Sequence, residues 1–451
     1  MATVRLMVST KTMKIVSRYR LPTFIFMISS LTGCAPRAPV YGTTLSDIPG
    51  WPPVGNRAIY AGTVRIHPDS GLEAHWQISY FRPAQTDSVV FLLNSGFNIR
   101  TVVASGMTGV SLIRDNDVTR IIVHMNRSPA GIAAATIDYT GMPLFGSDSI
   151  NSMSPSWIEL GLDSFWLPVL SDFSHTISGG FGSSIDIRGA GWKAAASGVF
   201  NRWEGDTPNG RVVTFKLSNQ VPLIDIAFAS SPSLDSTSRE KVTTFFRGNP
   251  PIYNERVPAV ANRCATYLDR YGSSGKLPPI KLVLAPRSGP GYARKNYIVI
   301  SKDLDTTEAG VAHFVCHELA HFWSSGAVSN GPENWLNEAF AEFIAARYIR
   351  AANGDSAYRA IVRQWEDRAK GQPAVWTPTA TKRPTARTAY GKAPFILNAL
   401  EDRVGSPTMD RILTRFMTEN IRTTSALLQM IGEAAGAETR DWFAAELAKP
   451  S

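Results

Sequence analysis

Three observations predict an α+β chain of more than one domain: strand-like alternation in the first half, helical spacing in the second, and a paired-histidine motif inside that second half. From 56 to about 231 the chain reads as β. "HWQISYF" (75–81) alternates apolar and polar residues, and "SVVFLL" (88–93), "TRIIVH" (119–124), "RVVTFKL" (211–217) and "LIDIAFA" (223–229) are rich in strand formers. Gly, Pro, Asn and Asp separate these segments, as turns require. The glycine-rich "SGGFGSS" (178–184) lacks a phosphate-loop pattern and reads as a strand connection. The first convincing helix is expected at "PSLDSTSREKV" (232–242). Beyond it the spacing is mostly helical, apart from a short strand pair at "IKLVLAP" (280–286) and "NYIVIS" (296–301). A chain of 451 residues accommodates two or three domains.

The N-terminus reads as a targeting segment. Residues 1–33 hold no acid and five basic residues, Arg5, Lys11, Lys14, Arg18 and Arg20, with Met13 as an alternative start. The apolar run "LPTFIFMISSL" is too short to span a bilayer and suits a signal-peptide core. It ends in Leu31-Thr-Gly-Cys34, which resembles a bacterial lipobox, so cleavage before Cys34 and lipid attachment to its thiol are expected. Ala35 stands where aspartate would be the cue for inner-membrane retention. The expected location is therefore the periplasmic face of a bacterial envelope, at the outer rather than the inner membrane. Losing the five basic residues lowers the formal net charge from +9 to +4, so no nucleic-acid partner is implied. Residues 34–55 read as a linker, 56–231 as a β-rich domain and 232–451 as a second domain. Of three cysteines, Cys264 and Cys316 remain in the mature chain, where a disulfide and two buried thiols are both open.

Chemistry concentrates in "CHELAHF" (316–322). On a helix, His317 and His321 lie one turn apart on one face and can point both imidazoles at one ion. Glu318 projects about 100° around the helix, beside that ion, where a base acting on water belongs. Asp305-Thr-Thr-Glu308 predicts the helix start, with Asp305 as N-cap. His313, one turn earlier, is too far along the axis to join them and reads as core or as a neighbour behind the ligands. Cys316 projects away from the ligand face.

A catalytic zinc needs three protein ligands and an open position. Residues 331–343, "GPENWLNEAFAEF", read as the start of a second helix that ends at Asn353-Gly354. Glu338 sits inside its apolar face, where an unpaired carboxylate is costly and calls for a cation. That cation is a metal ion or an arginine such as Arg347 or Arg350. Glu342, one turn on, is either solvated or a neighbour behind a ligand.

Together "HELAHFW" and "WLNEAFAEF" resemble the aminopeptidase N family of gluzincins, which includes leukotriene hydrolase. The resemblance implies one zinc ion held by His317, His321 and Glu338, with Glu318 as general base in peptide-bond hydrolysis. The gap of 16 residues between His321 and Glu338 is two shorter than the family's usual spacing, as a trimmed connecting loop would make it. "TAYGKAPFILNALEDRVG" (388–405) resembles the family's tyrosine-containing helix start and implies Tyr390 as a donor to the oxyanion; Ala393 replaces the family's glycine there. The β region resembles the saddle domain that precedes the family's catalytic domain. The implied architecture is an N-terminal β-sandwich or saddle-like domain followed by a thermolysin-like, mostly helical zinc peptidase domain. The family's large helical C-terminal domain has no counterpart in this sequence.

The family binds a substrate's free α-amino group through a glutamate before an edge strand. The matching place here is "GYARKNYIVIS" (291–301), with Lys295 at the glutamate's position beside Arg294. Two cations repel an ammonium group, so Arg294 and Lys295 are candidate substrate-binding residues that favour internal bonds or acidic groups near the cut. The expected partners are a peptide or protein substrate and, through the lipid, a membrane. Two other readings stay open: an aminopeptidase, and an envelope binding protein with a vestigial zinc domain.

Overall fold

The computed structural model describes residues 58–450, apart from 147–149, 172–179, 220–224, 249–250, 272–278, 295, 303–306, 323, 325, 329–330 and 420. Cys34, the signal segment, the whole linker, Lys295 and Asp305 lie outside the described residues. The fold is α+β, with a multi-sheet β region followed by a helical region.

A seven-stranded sheet forms the larger β layer, with Ile59–His67 paired in parallel to Gly180–Arg188 and antiparallel to Gly71–Arg82. A four-stranded sheet, in which Ser88–Asn94 and Val118–Met125 are central, closes over it. Inward-facing residues of both sheets make one core around Trp76, which meets Trp166 and Phe181 at ring-centroid distances of 5.7 and 5.5 Å. A small four-stranded sheet includes Trp157–Gly161 and Ala227–Ser231. It packs through Trp157, Ala227 and Ala229 against Val283, Tyr297 and Val299 of a five-stranded mixed sheet. That contact is the seam between the β region and the helical region.

Two segments differ from their sequence reading. "SGGFGSS" is not a connection: from Gly180 it forms a strand inside the seven-stranded sheet, hydrogen-bonded on both edges, with Phe181, Ile185 and Ile187 buried. "PSLDSTSREKV" is not a helix. Leu234–Arg239 pairs with Val242–Arg247 as a hairpin turning at Glu240, whose φ is 51°. The second strand buries alternate residues, Val242, Thr244 and Phe246, and this two-residue period recruits the first strand despite its weak pattern. The two strands extend the five-stranded sheet, in which Ile280–Ala285 and Tyr297–Ser301 lie parallel and Tyr292–Arg294 forms the far edge.

Among the described residues, the helices are α1 (Pro251–Leu268), α2 (Glu308–Ala320), α3 (Asn334–Asn353), α4 (Asp355–Ala369), α5 (Ala393–Val404), α6 (Ser406–Thr418), α7 (Thr424–Ala435) and α8 (Ala437–Ala448). α2 and α3 pack together in the largest core cluster of the helical region, with α1 on one side and α5 on the other. Thr307, and not Asp305, is the N-cap of α2: its hydroxyl accepts from the Gly310 N–H. Cys264 of α1 and Cys316 of α2 form a disulfide, settling the pairing that their sequence left open.

Candidate active site

α2 and α3 bring the motif residues together. His321 is the C-cap of α2 but keeps right-handed helical angles, φ −60° and ψ −17°, so it stays one turn from His317 on the same face. The two Nε2 atoms lie 3.2 Å apart. Glu338 Oε2, one turn into α3, lies 3.7 Å from His317 Nε2 and 3.4 Å from His321 Nε2. Ligands about 2.0–2.1 Å from a tetrahedral ion stand about 3.3–3.4 Å from one another. The three side chains therefore fit one zinc ion with a fourth position to spare. The alternative partners of Glu338 are engaged elsewhere: Arg347 with Glu401 and Asp410, and Arg350 with Asp355.

The electrostatics also call for a cation. Burial disfavours a charged His317, yet hydrogen bonds with Glu338 and Glu342 outweigh it and push its pKa up to about 10. Burial raises Glu338 and Glu342 as well, but their imidazole neighbours hold both well below the usual carboxylate range. A metal ion satisfies the same demand that protons meet here.

Glu342 stands behind a ligand. Its Oε2 accepts from His317 Nδ1 at 3.0 Å, and its Oε1 accepts from Trp365 Nε1 at 3.1 Å. His313 Nε2 faces the same carboxylate at 3.2 Å. This carboxylate–imidazole contact fixes the tautomer and the ring orientation of a ligating histidine.

Glu318 is buried beside the ligands, 8% exposed. Burial raises its pKa above the ordinary carboxylate value; His317, His321 and Arg294 pull the other way and Glu338 adds to the rise. Tyr390 lies on a single π-helical turn, Thr388–Lys392, that opens α5. Its ring stacks on His317 at 5.6 Å and 22°. Burial and the neighbouring Glu338 keep its phenol protonated well above its usual range. The turn is held closely: a Cβ on Gly391 would stand 2.4 Å from Arg368 Cβ on α4, so only glycine fits. Lys392 is buried and donates to the carbonyls of Gln372, Pro373 and Lys449. Pro394 falls in the first turn of α5, where proline is tolerated.

The edge strand Tyr292–Arg294 runs beside α2. A Cβ on Gly291 would stand 2.2 Å from Phe314 Cζ and 2.5 Å from the Val299 carbonyl, so this approach requires glycine. The strand presents Arg294 near Glu318 but not as a free cation, because Arg294 pairs with Asp163 of the β region. Beside it, Arg287 forms a bidentate pair with buried Glu159 at 2.8 and 3.0 Å. Neither acid carries a local sequence signal; Asp163 lies 131 residues before its partner.

Comparisons with known proteins agree with this geometry. Residues 292–444 match the Peptidase family M1 domain. "Leucine aminopeptidase 2" of Sclerotinia sclerotiorum is 31% identical over 136 residues, covering 27% of this chain and 21% of that protein. "Leukotriene A-4 hydrolase homolog" of Botryotinia fuckeliana gives the same identity over 27% of this chain and 20% of its own length. The chain thus spans about a fifth of the length of these curated relatives. An M1 zinc metallopeptidase from Deinococcus radiodurans superposes with a TM-score of 0.67 at 16% identity, covering 88% of this chain and 95% of its own. A mutant of that protein is bound to a Tyr-Ser-Ala substrate. Native yeast LTA4 hydrolase superposes with a TM-score of 0.64 at 15% identity, covering 87% of this chain and 68% of its own. Residues 292–444 are thus similar to the Peptidase family M1 domain, and the α+β fold is similar to that of the Deinococcus M1 zinc metallopeptidase.

Proposed function

We propose that the protein is a zinc-dependent peptidase. The observation that carries this reading is the convergence of His317, His321 and Glu338 on one point, with Glu318 and Tyr390 beside it. Zinc, when bound by the three ligands, supplies Lewis acidity toward water and the peptide carbonyl. Glu318 takes the proton of the attacking water and returns it to the leaving amine. Its burial raises its proton affinity, which suits a group that must both accept and donate. Tyr390 keeps its proton and donates a hydrogen bond to the oxyanion as the carbonyl carbon becomes tetrahedral. Glu342 holds the His317 ring in place.

The finer reading is a peptidase of internal bonds, not a strict aminopeptidase, supported by the Arg294 charge beside Glu318. The aminopeptidase alternative draws on the leucine aminopeptidase among the relatives and on the tripeptide bound to the Deinococcus protein. Mass-spectrometric mapping of cuts in a mixed peptide library separates the two, since stepwise N-terminal trimming that spares N-acetylated peptides marks an aminopeptidase. We also propose that the chain acts at the periplasmic face of a bacterial envelope, anchored by a lipid on Cys34. The lipobox-like motif and the Cys264–Cys316 disulfide support that location.

The test of the core reading is Glu318→Gln. The variant should fold and carry about one zinc per chain, yet lose hydrolysis of casein or a peptide library by about three orders of magnitude. Replacing His317, His321 or Glu338 should instead lose the metal. A Glu318→Gln protein with wild-type turnover would remove Glu318 from the mechanism, and a wild type that stays zinc-free in zinc-replete medium would end the zinc reading.

A further inference from the structure

We propose that Arg294 is a binding site for a carboxylate on the substrate peptide, with Asp163 as a built-in competitor for the same guanidinium. The inference rests on the peptidase reading and names the substrate class of that site: peptides with an acidic side chain or terminus near the cleaved bond.

The two arginines at the seam behave differently. Arg287 and Glu159 are sealed, with side chains 12% and 0% exposed. Trp157 Nε1 also donates to Glu159, and Arg287 Nη1 to the Pro290 carbonyl. That pair is part of the seam's interior. Arg294 is also shielded, its side chain 17% exposed, but its acid partner Asp163 is 51% exposed. An ion pair with so open an acid is weakly held and exchangeable.

The guanidinium is positioned for a ligand. It lies over the Tyr292 ring, with Cζ 4.9 Å from the centroid, and Nη1 donates to the Ala293 carbonyl at 2.9 Å. Its Nε is buried without a hydrogen-bond partner. The edge strand that carries it contacts α2, the helix of Glu318, and its charge acts on that carboxylate. Asp225 adds a second negative charge in range. A peptide carboxylate arriving there meets a fixed, partly desolvated fork with one terminal nitrogen held by a replaceable acid. Arginine–carboxylate pairs of this kind are the strong, geometry-selective ones.

A merely structural salt bridge predicts that removing either partner has the same effect. The competitor reading predicts opposite effects. The measurement is fluorescence anisotropy of dansylated alanine pentapeptides, each with one Glu or one Gln scanned through the positions. They are titrated onto zinc-loaded Glu318→Gln protein so that turnover does not intervene. At one position the Glu peptide should bind about tenfold tighter than its Gln twin. Arg294→Gln should erase that ratio, and Asp163→Asn should enlarge it several-fold. Asp163→Asn changes an exposed side chain, so it tests the idea even if Arg294→Gln folds poorly. Equal binding of Glu and Gln peptides at every position overturns the proposal. So do a ratio that survives Arg294→Gln, a ratio that shrinks in Asp163→Asn, or no measurable binding of any peptide. Casein hydrolysis by the wild type separates the two claims. Selectivity without hydrolysis removes the peptidase reading and leaves the carboxylate site; hydrolysis without selectivity does the reverse.

Discussion

Glu318 is held between opposing influences, and their signs predict its pH behaviour. Burial raises its pKa, the imidazoles of His317 and His321 lower it, Glu338 raises it and Arg294 lowers it. Only the carboxylate form accepts a proton, so activity is present above this pKa and is lost as pH falls through it. The acidic limb of kcat/KM should therefore sit above the ordinary carboxylate range. Removing Arg294 deletes a lowering influence, so Arg294→Gln should move that limb to higher pH while the plateau above it persists. A pH–rate profile of the two proteins checks this, and a limb that stays or shifts to lower pH would show that the Arg294 charge does not reach the base. At this scale the sequence was informative where geometry is local. His317, Glu318 and His321 share one helical turn, and Glu338 needed only a second helix. The choice between Glu338 and Glu342 was harder, because two carboxylates one turn apart on α3 look alike by spacing. Only the packing of α3 on α2 sends one toward the Nε2 atoms and the other toward His317 Nδ1. The Asp163–Arg294 pair was illegible for a plainer reason: 131 residues of sheet lie between its partners.

α2 and its C-cap carry two candidate ligands and the candidate base, so whatever fixes this helix fixes the candidate site. Thr307 caps its start, Phe314 rests on the backbone at Gly291, and the Cys264–Cys316 bond ties it to α1 one residue before His317. Both cysteines are fully buried. The bond closes a loop with a sequence separation of 52 residues. In the chain-entropy account a loop of that size stabilises the fold by about 4 kcal/mol. The double variant Cys264→Ala with Cys316→Ala should unfold at a correspondingly lower denaturant concentration. Reductant should bring the wild type down to about the same midpoint and leave the double variant unmoved. A wild-type midpoint indifferent to reductant would show that the bond contributes nothing to holding α2. Element type was legible wherever a period ran long, as in α3. It failed at Leu234–Arg239, whose three-residue burial rhythm imitates a helix and whose strand state comes from Val242–Arg247. It also failed at Gly180–Arg188, where glycines signalled a loop but neighbours on both edges impose a strand.

The whole molecule places the His317–His321–Glu338 cluster in a helical region and braces that region with a β region. The brace is physical: the small sheet packs on the five-stranded sheet, and Glu159 and Asp163 reach across to Arg287 and Arg294. The division into a β part and a helical part was legible from periodicity; the charges that cross the seam were not, because a pair across two folded regions leaves no mark on either segment. The same scale bears on location. Among the described residues no helix is long and apolar enough to cross a membrane. Residues 34–451 carry a formal net charge of only +4, and attraction of such a charge to anionic lipid is screened by salt within about 10 Å. A disulfide between α1 and α2 belongs to an oxidising compartment. The anchor we propose there is a lipid on Cys34, an attachment that is hydrophobic and indifferent to ionic strength. Wild-type protein expressed in a bacterium with a periplasm should therefore stay with the membrane fraction through a high-salt wash. Cys34→Ser should lose the lipid, detected as the missing acyl mass on the N-terminal peptide, and should move to the soluble fraction. Processed Cys34→Ser protein that still resists a high-salt wash would locate the attachment elsewhere and remove the lipid anchor from this account.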